Sequence, residues 1–232
     1  MANFNTFKYA SAFLVVIFCV GVEIASGPGS SSSSNNRQDE ALAEIKHLNY
    51  PLSTDTINYF IEFANDYNKK KFRMAPCNMA PDSYKNFQTT KRDGVQILFV
   101  GDLEDPYALG HFICVSHKHS EKKVYIYNSL GRRRIPPATE LANKNLFPNA
   151  TSTKLMNSQT HQTDSVSCGL FAIAHATEVM LGYLPELCSV QLSTGQYPSA
   201  HLREHLQYMI EHKVLELFPS AGFYAEWQIK HF

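Results

Sequence analysis

The chain is 232 residues long, 44% hydrophobic and 18% charged, with 21 basic residues balancing 21 acidic ones. That length is enough for one medium domain with a sizeable core, and a zero net charge gives no global reason to expect nucleic acid or an anionic membrane as partner. No internal repeat is visible, which argues against a solenoid or propeller.

At the N-terminus Lys8 precedes a fourteen-residue apolar run, Tyr9 to Val22, and Glu23 is followed by the small residues Ala25, Ser26 and Gly27. This is the layout of a secretory signal peptide and is too short for a comfortable membrane span. Residues 1–26 are therefore expected to be a signal, 27–40 (GPGSSSSSNNRQDE) a Ser-rich flexible linker, and 41–232 a single folded domain. A secreted protein with no stable membrane anchor after signal removal follows. The alternative is an apolar segment that is not a working signal, in a nuclear or cytoplasmic protein.

Within the domain, Ile57, Phe60, Ile61 and Ala64 have i, i+3, i+4, i+7 spacing and predict a first helix that Ser53 or Asp55 would cap. Val95, Ile97 and Phe99 predict a strand. HFICVS (His111 to Ser116) and VYIYNS (Val124 to Ser129) are rich in β-branched and aromatic residues and read as two arms of a hairpin joined by the polar HKHSEKK. A symmetric hairpin sets Ile113 against Ile126, Val115 against Val124 and His111 against Asn128, which brings an imidazole and an amide within reach. Both faces of this hairpin are largely apolar, so the sheet is expected to be covered on both sides. The Arg132 to Arg134 run reads as loop decoration after the hairpin. His117 and His119 in the turn lack further ligands for a metal site. Leu202, Leu206, Met209 and Ile210 predict a C-terminal helix.

Cys168 opens GLFAIAHATEVMLGY, apolar nearly all round, with Gly182 at the place of a C′ glycine and Pro185 beyond it. That pattern predicts a buried central helix with Ser165 or Ser167 as N-cap. A cysteine in its first turn meets unpaired N–H groups and the positive end of the helix dipole, which favour thiolate over thiol. Strands in the middle of the chain with helices around them give an α+β fold.

These residues form a constellation with a chemistry. The Cys168 thiolate is the candidate nucleophile. His111 would be its ion-pair partner and the acid for the leaving amine, and Asn128 would hold the ring in the useful tautomer. Gln162, six residues before Cys168, would aim its side-chain N–H at a developing oxyanion together with the Cys168 backbone N–H. Gln159 competes for that role and loses on spacing.

The order and spacing of His111, Asn128, Gln162 and Cys168 resemble those of the ubiquitin-like protease family, the adenain-type cysteine peptidases that include the SUMO-deconjugating enzymes. LSTDTINYFIEF near Leu52, VQILFVGD at Val95 and HLREHLQYMIEHKVLELFP extend the resemblance over roughly residues 48 to 219. It implies an adenain/papain-like fold, a central mixed sheet flanked by helices with the nucleophile at the start of a buried helix. It further implies a ubiquitin-like protease catalytic domain over 41–232, a cysteine-type peptidase or isopeptidase working through a Cys168 acyl-enzyme, and a protein substrate such as a ubiquitin-like modifier conjugate. No cofactor and no metal are expected. The chain departs from the family pattern where Asn128 stands for an acid, Phe112 for the tryptophan after the histidine, and Ser167 for a frequent aspartate. Its one tryptophan, Trp227, lies near the C-terminus.

Those departures keep a second reading open, a catalytically weak or inactive relative that binds a modifier or another partner through the same cleft. Acyl transfer to an acceptor other than water is a third. Removal of the signal leaves Cys77, Cys114, Cys168 and Cys188; on export Cys77 and Cys188 become candidates for pairing, and Asn149-Ala150-Thr151 becomes a glycosylation sequon.

Overall fold

The computed structural model describes residues 31–68, 72–100, 110–130, 135–156, 162, 164–183 and 199–218. The expected signal, the Arg132 to Arg134 run, Gln159, Cys188 and Trp227 lie outside them.

The first element corrects the linker reading. Helix α1 spans Ser31–Ile45, so the Ser-rich stretch is helical from Ser31 onward. Serine and asparagine are indifferent helix formers, and what holds α1 is docking. Arg37 makes two hydrogen bonds to the Glu62 carboxylate of helix α2 (Thr54–Tyr67) at 2.8 and 3.1 Å, and Ala41 and Ile45 are buried. Helix α2 starts where its sequence predicts: Ser53 is the N-cap, its hydroxyl oxygen accepting the Thr56 N–H at 3.2 Å, and Ile57, Phe60, Ile61 and Ala64 are all buried.

After a 3₁₀ segment over Pro81–Phe87 come strands β1 (Gly94–Val100), β2 (His111–Lys118) and β3 (Lys123–Tyr127), then helix α3 (Pro137–Leu146) and strand β4 (Ser152–Met156). The sheet order is β1-β2-β3-β4, antiparallel up to β3 and parallel between β3 and β4, hence mixed. Helices α4 (Cys168–Met180) and α5 (Ser199–His212) complete the α+β fold.

The hairpin forms, but its register differs by two residues from the symmetric expectation. Val115 pairs with Ile126, Cys114 with Tyr127 and Lys118 with Lys123. The turn is the cause. A short 3₁₀ segment over His119–Glu121 and a left-handed Lys122 (φ 49°) close the hairpin, so β2 continues to Lys118. Extending that pairing by one residue sets Asn128 across from Ile113 and makes it a diagonal neighbour of His111. A slip of two keeps every side chain on its face, so His111 and Asn128 still share one.

Each face of the sheet has its own core. Phe112, Cys114, Tyr125 and Tyr127 pack with β1 residues Val95 and Ile97 into the cluster that α2, α4 and α5 complete. Ile113, Val115, Val124 and Ile126 face the other way, into a cluster with Ala142 and Leu146 of α3 and Tyr84 of the 3₁₀ segment. Helix α4 is buried at all thirteen positions. It stops in a Schellman motif: the Gly182 N–H donates to Val179 O at 3.0 Å, the Tyr183 N–H to Glu178 O at 3.1 Å, and Gly182 takes φ +90°.

The segment between α1 and α2 is tied down from the far end of the chain. Arg203 of α5, 1% exposed, donates to the carbonyls of Glu44 and Ile45 at 3.4 and 3.1 Å and to that of Tyr50. It thereby caps the C-terminal carbonyls of α1 with a cation, as the helix dipole favours. The same segment delivers Leu52 to the start of α4. A Cβ on Gly169 would lie 3.2 Å from Leu52 Cβ and 3.1 Å from Ile57 Cδ1, so only glycine after Cys168 leaves those contacts unstrained.

Candidate active site

Residues up to 57 positions apart in the sequence are brought to one end of the sheet, His111 beside Asn128 and Cys168 against Phe112, the residue after His111. His111 is the first residue of β2, Asn128 follows the last residue of β3, and Cys168 is the first residue of α4. All are buried, as is Gln162.

The His111–Asn128 pair is made. His111 Nε2 and Asn128 Oδ1 are 2.9 Å apart. The same Oδ1 accepts the Leu130 backbone N–H at 3.0 Å, which fixes it as the oxygen of the amide. An oxygen can only accept, so His111 carries its hydrogen on Nε2, and Nδ1 is the basic nitrogen of the neutral ring.

Cys168 lies against the strand that begins with His111, since the Phe112 backbone N–H acts on its sulfur together with the N–H groups of Gly169 and Cys168 itself. These donors favour the thiolate, as expected at a helix start. Burial is the larger effect and pushes the thiol above its ordinary range, and the Asp164 carboxylate adds to it. The N–H groups at the helix start act in the expected direction, and at 4% exposure desolvation is the larger effect.

Gln162 is held from both ends. Its backbone N–H donates to Ser129 O at 2.7 Å, its side-chain oxygen accepts the Ser129 hydroxyl at 2.8 Å, and its Nε2 donates to Asp164 O at 2.6 Å. Nε2 also lies 3.4 Å from Asp164 Oδ1. Ser129, the residue after Asn128, thus joins this loop directly to the end of β3.

Two residues absent from the sequence-derived constellation belong to this end of the sheet. One is Ser129. The other is Asp164, whose Oδ1 accepts the Val166 and Ser167 N–H groups at 2.8 and 2.7 Å and whose Oδ2 accepts the Ser167 hydroxyl at 2.8 Å. Ser167 occupies the N-cap position, but its hydroxyl is given to Asp164 instead of capping the helix. An aspartate three residues before a serine at a helix start is a turn signature that sequence alone offered.

The other conspicuous side chains lie elsewhere. His117 is buried and stacks on Phe147, ring centroids 5.1 Å apart, and His119 begins the hairpin turn. Among the described residues no group of three or more His, Cys, Asp or Glu side chains is placed to hold a metal, and no helix is long and apolar enough to cross a membrane. Cys77 and Cys114 are buried.

With a cysteine at the start of a buried helix and a His–Asn pair on the adjoining strands, the fold is that of the ubiquitin-like cysteine proteases. No protein-family model matches the sequence, and no curated protein is similar to it. Solved structures are. The SUMO protease Ulp1, with its catalytic cysteine oxidised to a sulfenic acid, superposes with a TM-score of 0.53 at 12% identity, covering 82% of this chain and 98% of that one. The C-terminal Ulp1 protease domain in complex with Smt3, the yeast orthologue of SUMO, gives 0.51 at 12% identity over 82% and 98%.

Proposed function

We propose that this protein is a cysteine peptidase or isopeptidase that acts on a ubiquitin-like modifier conjugate. The observation that carries the reading is the 2.9 Å bond from His111 Nε2 to Asn128 Oδ1 at the strand end where Cys168 lies. Nδ1 is then the atom through which His111 takes the thiol proton and later returns it to the leaving amine. Because burial raises the thiol, Cys168 depends on that transfer more than a preformed thiolate would. Attack yields a Cys168 acyl-enzyme, which water hydrolyses. The modifier as substrate class is supported by Ulp1, solved in complex with Smt3.

The test is a panel of ubiquitin-like modifiers with an electrophile at the C-terminus. Covalent capture by one modifier, lost in Cys168→Ala, is the expected result, and failure of the whole panel to label would overturn the modifier reading. Gln162→Ala is expected to slow the chemical step by on the order of 10²-fold with little change in KM, as for loss of one oxyanion donor. An effect confined to KM would reassign Gln162 to substrate binding.

A second reading is favoured by the raised Cys168 thiol and by an uncharged amide, Asn128, where an acid would stabilise the imidazolium. It is a weak or inactive relative that binds a modifier through the same cleft. Non-covalent binding of a modifier whose probe does not label Cys168 would establish it.

We further propose export through the secretory route, supported by Lys8, the Tyr9 to Val22 run and the small residues after it. Expression in a secreting host should yield a mature chain beginning near Ser26. Recovery only from the cytosol with residues 1–22 intact would overturn it.

A further inference from the structure

We infer that Asp164 is a positioning residue of this site: its carboxylate holds the turn that presents Gln162 and starts α4 at Cys168. The inference deepens the peptidase reading and rests on it for its turnover test. The carboxylate accepts three hydrogen bonds, from the Val166 N–H, the Ser167 N–H and the Ser167 hydroxyl, at 2.7 to 2.8 Å, while the Asp164 carbonyl anchors Gln162 Nε2 at 2.6 Å. Ser167 O in turn accepts the Phe171 N–H at 3.1 Å, the first turn of α4. One residue therefore fixes the path from the candidate oxyanion donor to the candidate nucleophile, through its carbonyl at Gln162 and its carboxylate at Val166 and Ser167. Without it the Val166 and Ser167 N–H groups have to find new acceptors, and the loop loses the bonds that set its shape.

The same carboxylate brings a negative charge to the nucleophile. It acts on Cys168 of α4 against thiolate formation, a smaller effect than burial and the N–H groups of Phe112, Gly169 and Cys168; the other charged or titratable groups around it are His111 of β2 and the Arg203 guanidinium of α5, on which Glu44 of α1 also acts. Asp164 thus has two separable effects, shape and charge. Asparagine preserves the first, because its oxygen accepts the two N–H groups and its amide can donate to the Ser167 oxygen; it removes the second. Alanine removes both.

The experiment compares Asp164→Asn and Asp164→Ala with wild type in three measurements on the full chain. The rate of Cys168 alkylation by iodoacetamide is followed against pH, amide hydrogen exchange at Val166 and Ser167 is measured, and turnover is read on the modifier substrate that the probe panel selects. Asp164→Asn should move the alkylation profile to lower pH with exchange unchanged and kcat within about threefold of wild type. Asp164→Ala should speed exchange at both amides and lower kcat about tenfold or more with KM held. Coincident alkylation profiles for wild type and Asp164→Asn would overturn the charge effect. Slow exchange or wild-type kcat in Asp164→Ala would overturn the positioning role. Absence of turnover in the wild type would count against the peptidase reading alone, since alkylation and exchange still decide the role of Asp164. Should the alanine variant fail to fold, the asparagine variant carries the decision, with loss of its amide protection as the overturning result.

Discussion

Replacement of Cys168 by alanine is expected to abolish turnover, by at least about 10⁴-fold, while the protein remains folded. In the proposed mechanism the sulfur is the atom that forms the bond to substrate. The change removes a single buried atom, so the stability cost is about 1 kcal/mol, which is measurable by thermal unfolding and small beside the kinetic loss. A companion result concerns the wild type. A thiol probe near neutral pH should modify Cys168 before Cys77 or Cys114, because burial pushes the Cys77 thiol up to about 12 and Cys114 is fully buried in the core. Labelling of Cys168 should rise with pH, because burial raises this thiol and more of it ionises as the pH climbs. Preferential labelling of Cys77 or Cys114 would remove Cys168 from the role of nucleophile.

His111 and Asn128 give the second large effect. Loss of the ring in His111→Ala removes the proposed base and acid together and is expected to cost about as much as loss of the cysteine, since members of such a unit are strongly non-additive. Asn128→Ala should cost less, roughly 10- to 100-fold in kcat, because the Nε2 hydrogen bond orients the ring without taking part in bond making. Asn128→Asp should preserve or raise activity. A carboxylate stabilises the imidazolium, so the His111 pKa rises and the pH limb that reports loss of that proton moves upward. Alanine and wild type with equal kcat would show that the bond has no catalytic consequence.

Much of this was legible in the sequence for identifiable reasons. Helix α2 announced itself through an apolar stripe and a serine cap, and α4 through thirteen consecutive positions that became buried, closed by Gly182. The His111–Asn128 pairing came from strand composition and survived an error in register, because the error was an even number of residues. What stayed hidden lacked a local signal. Helix α1 is mostly polar and exists through contacts such as Arg37 with Glu62, twenty-five residues away. Strand β4, STKLM, is largely exposed and pairs with β3 without alternating apolar residues of its own. The pull of the helix start on the Cys168 thiol was legible, whereas the depth of burial that opposes it is not visible in a sequence. Asp164 went unread, because its bonds to Gln162 and Ser167 exist only in the closed loop.

The Arg203 anchorage has a consequence for how the site comes into being. The carbonyls it holds belong to Glu44, Ile45 and Tyr50, more than 150 residues earlier in the chain. The segment they flank carries Leu52 to the base of the nucleophile helix. A nascent chain that has emerged only through Cys168 therefore holds every residue of the reactive constellation and still lacks the clamp that sets one wall beneath it. Completion of the site requires a long-range contact, with loop closure across most of the polypeptide. Synthesis thus delivers the candidate chemistry before it delivers the scaffold beneath it, which is complete only with α5 in place.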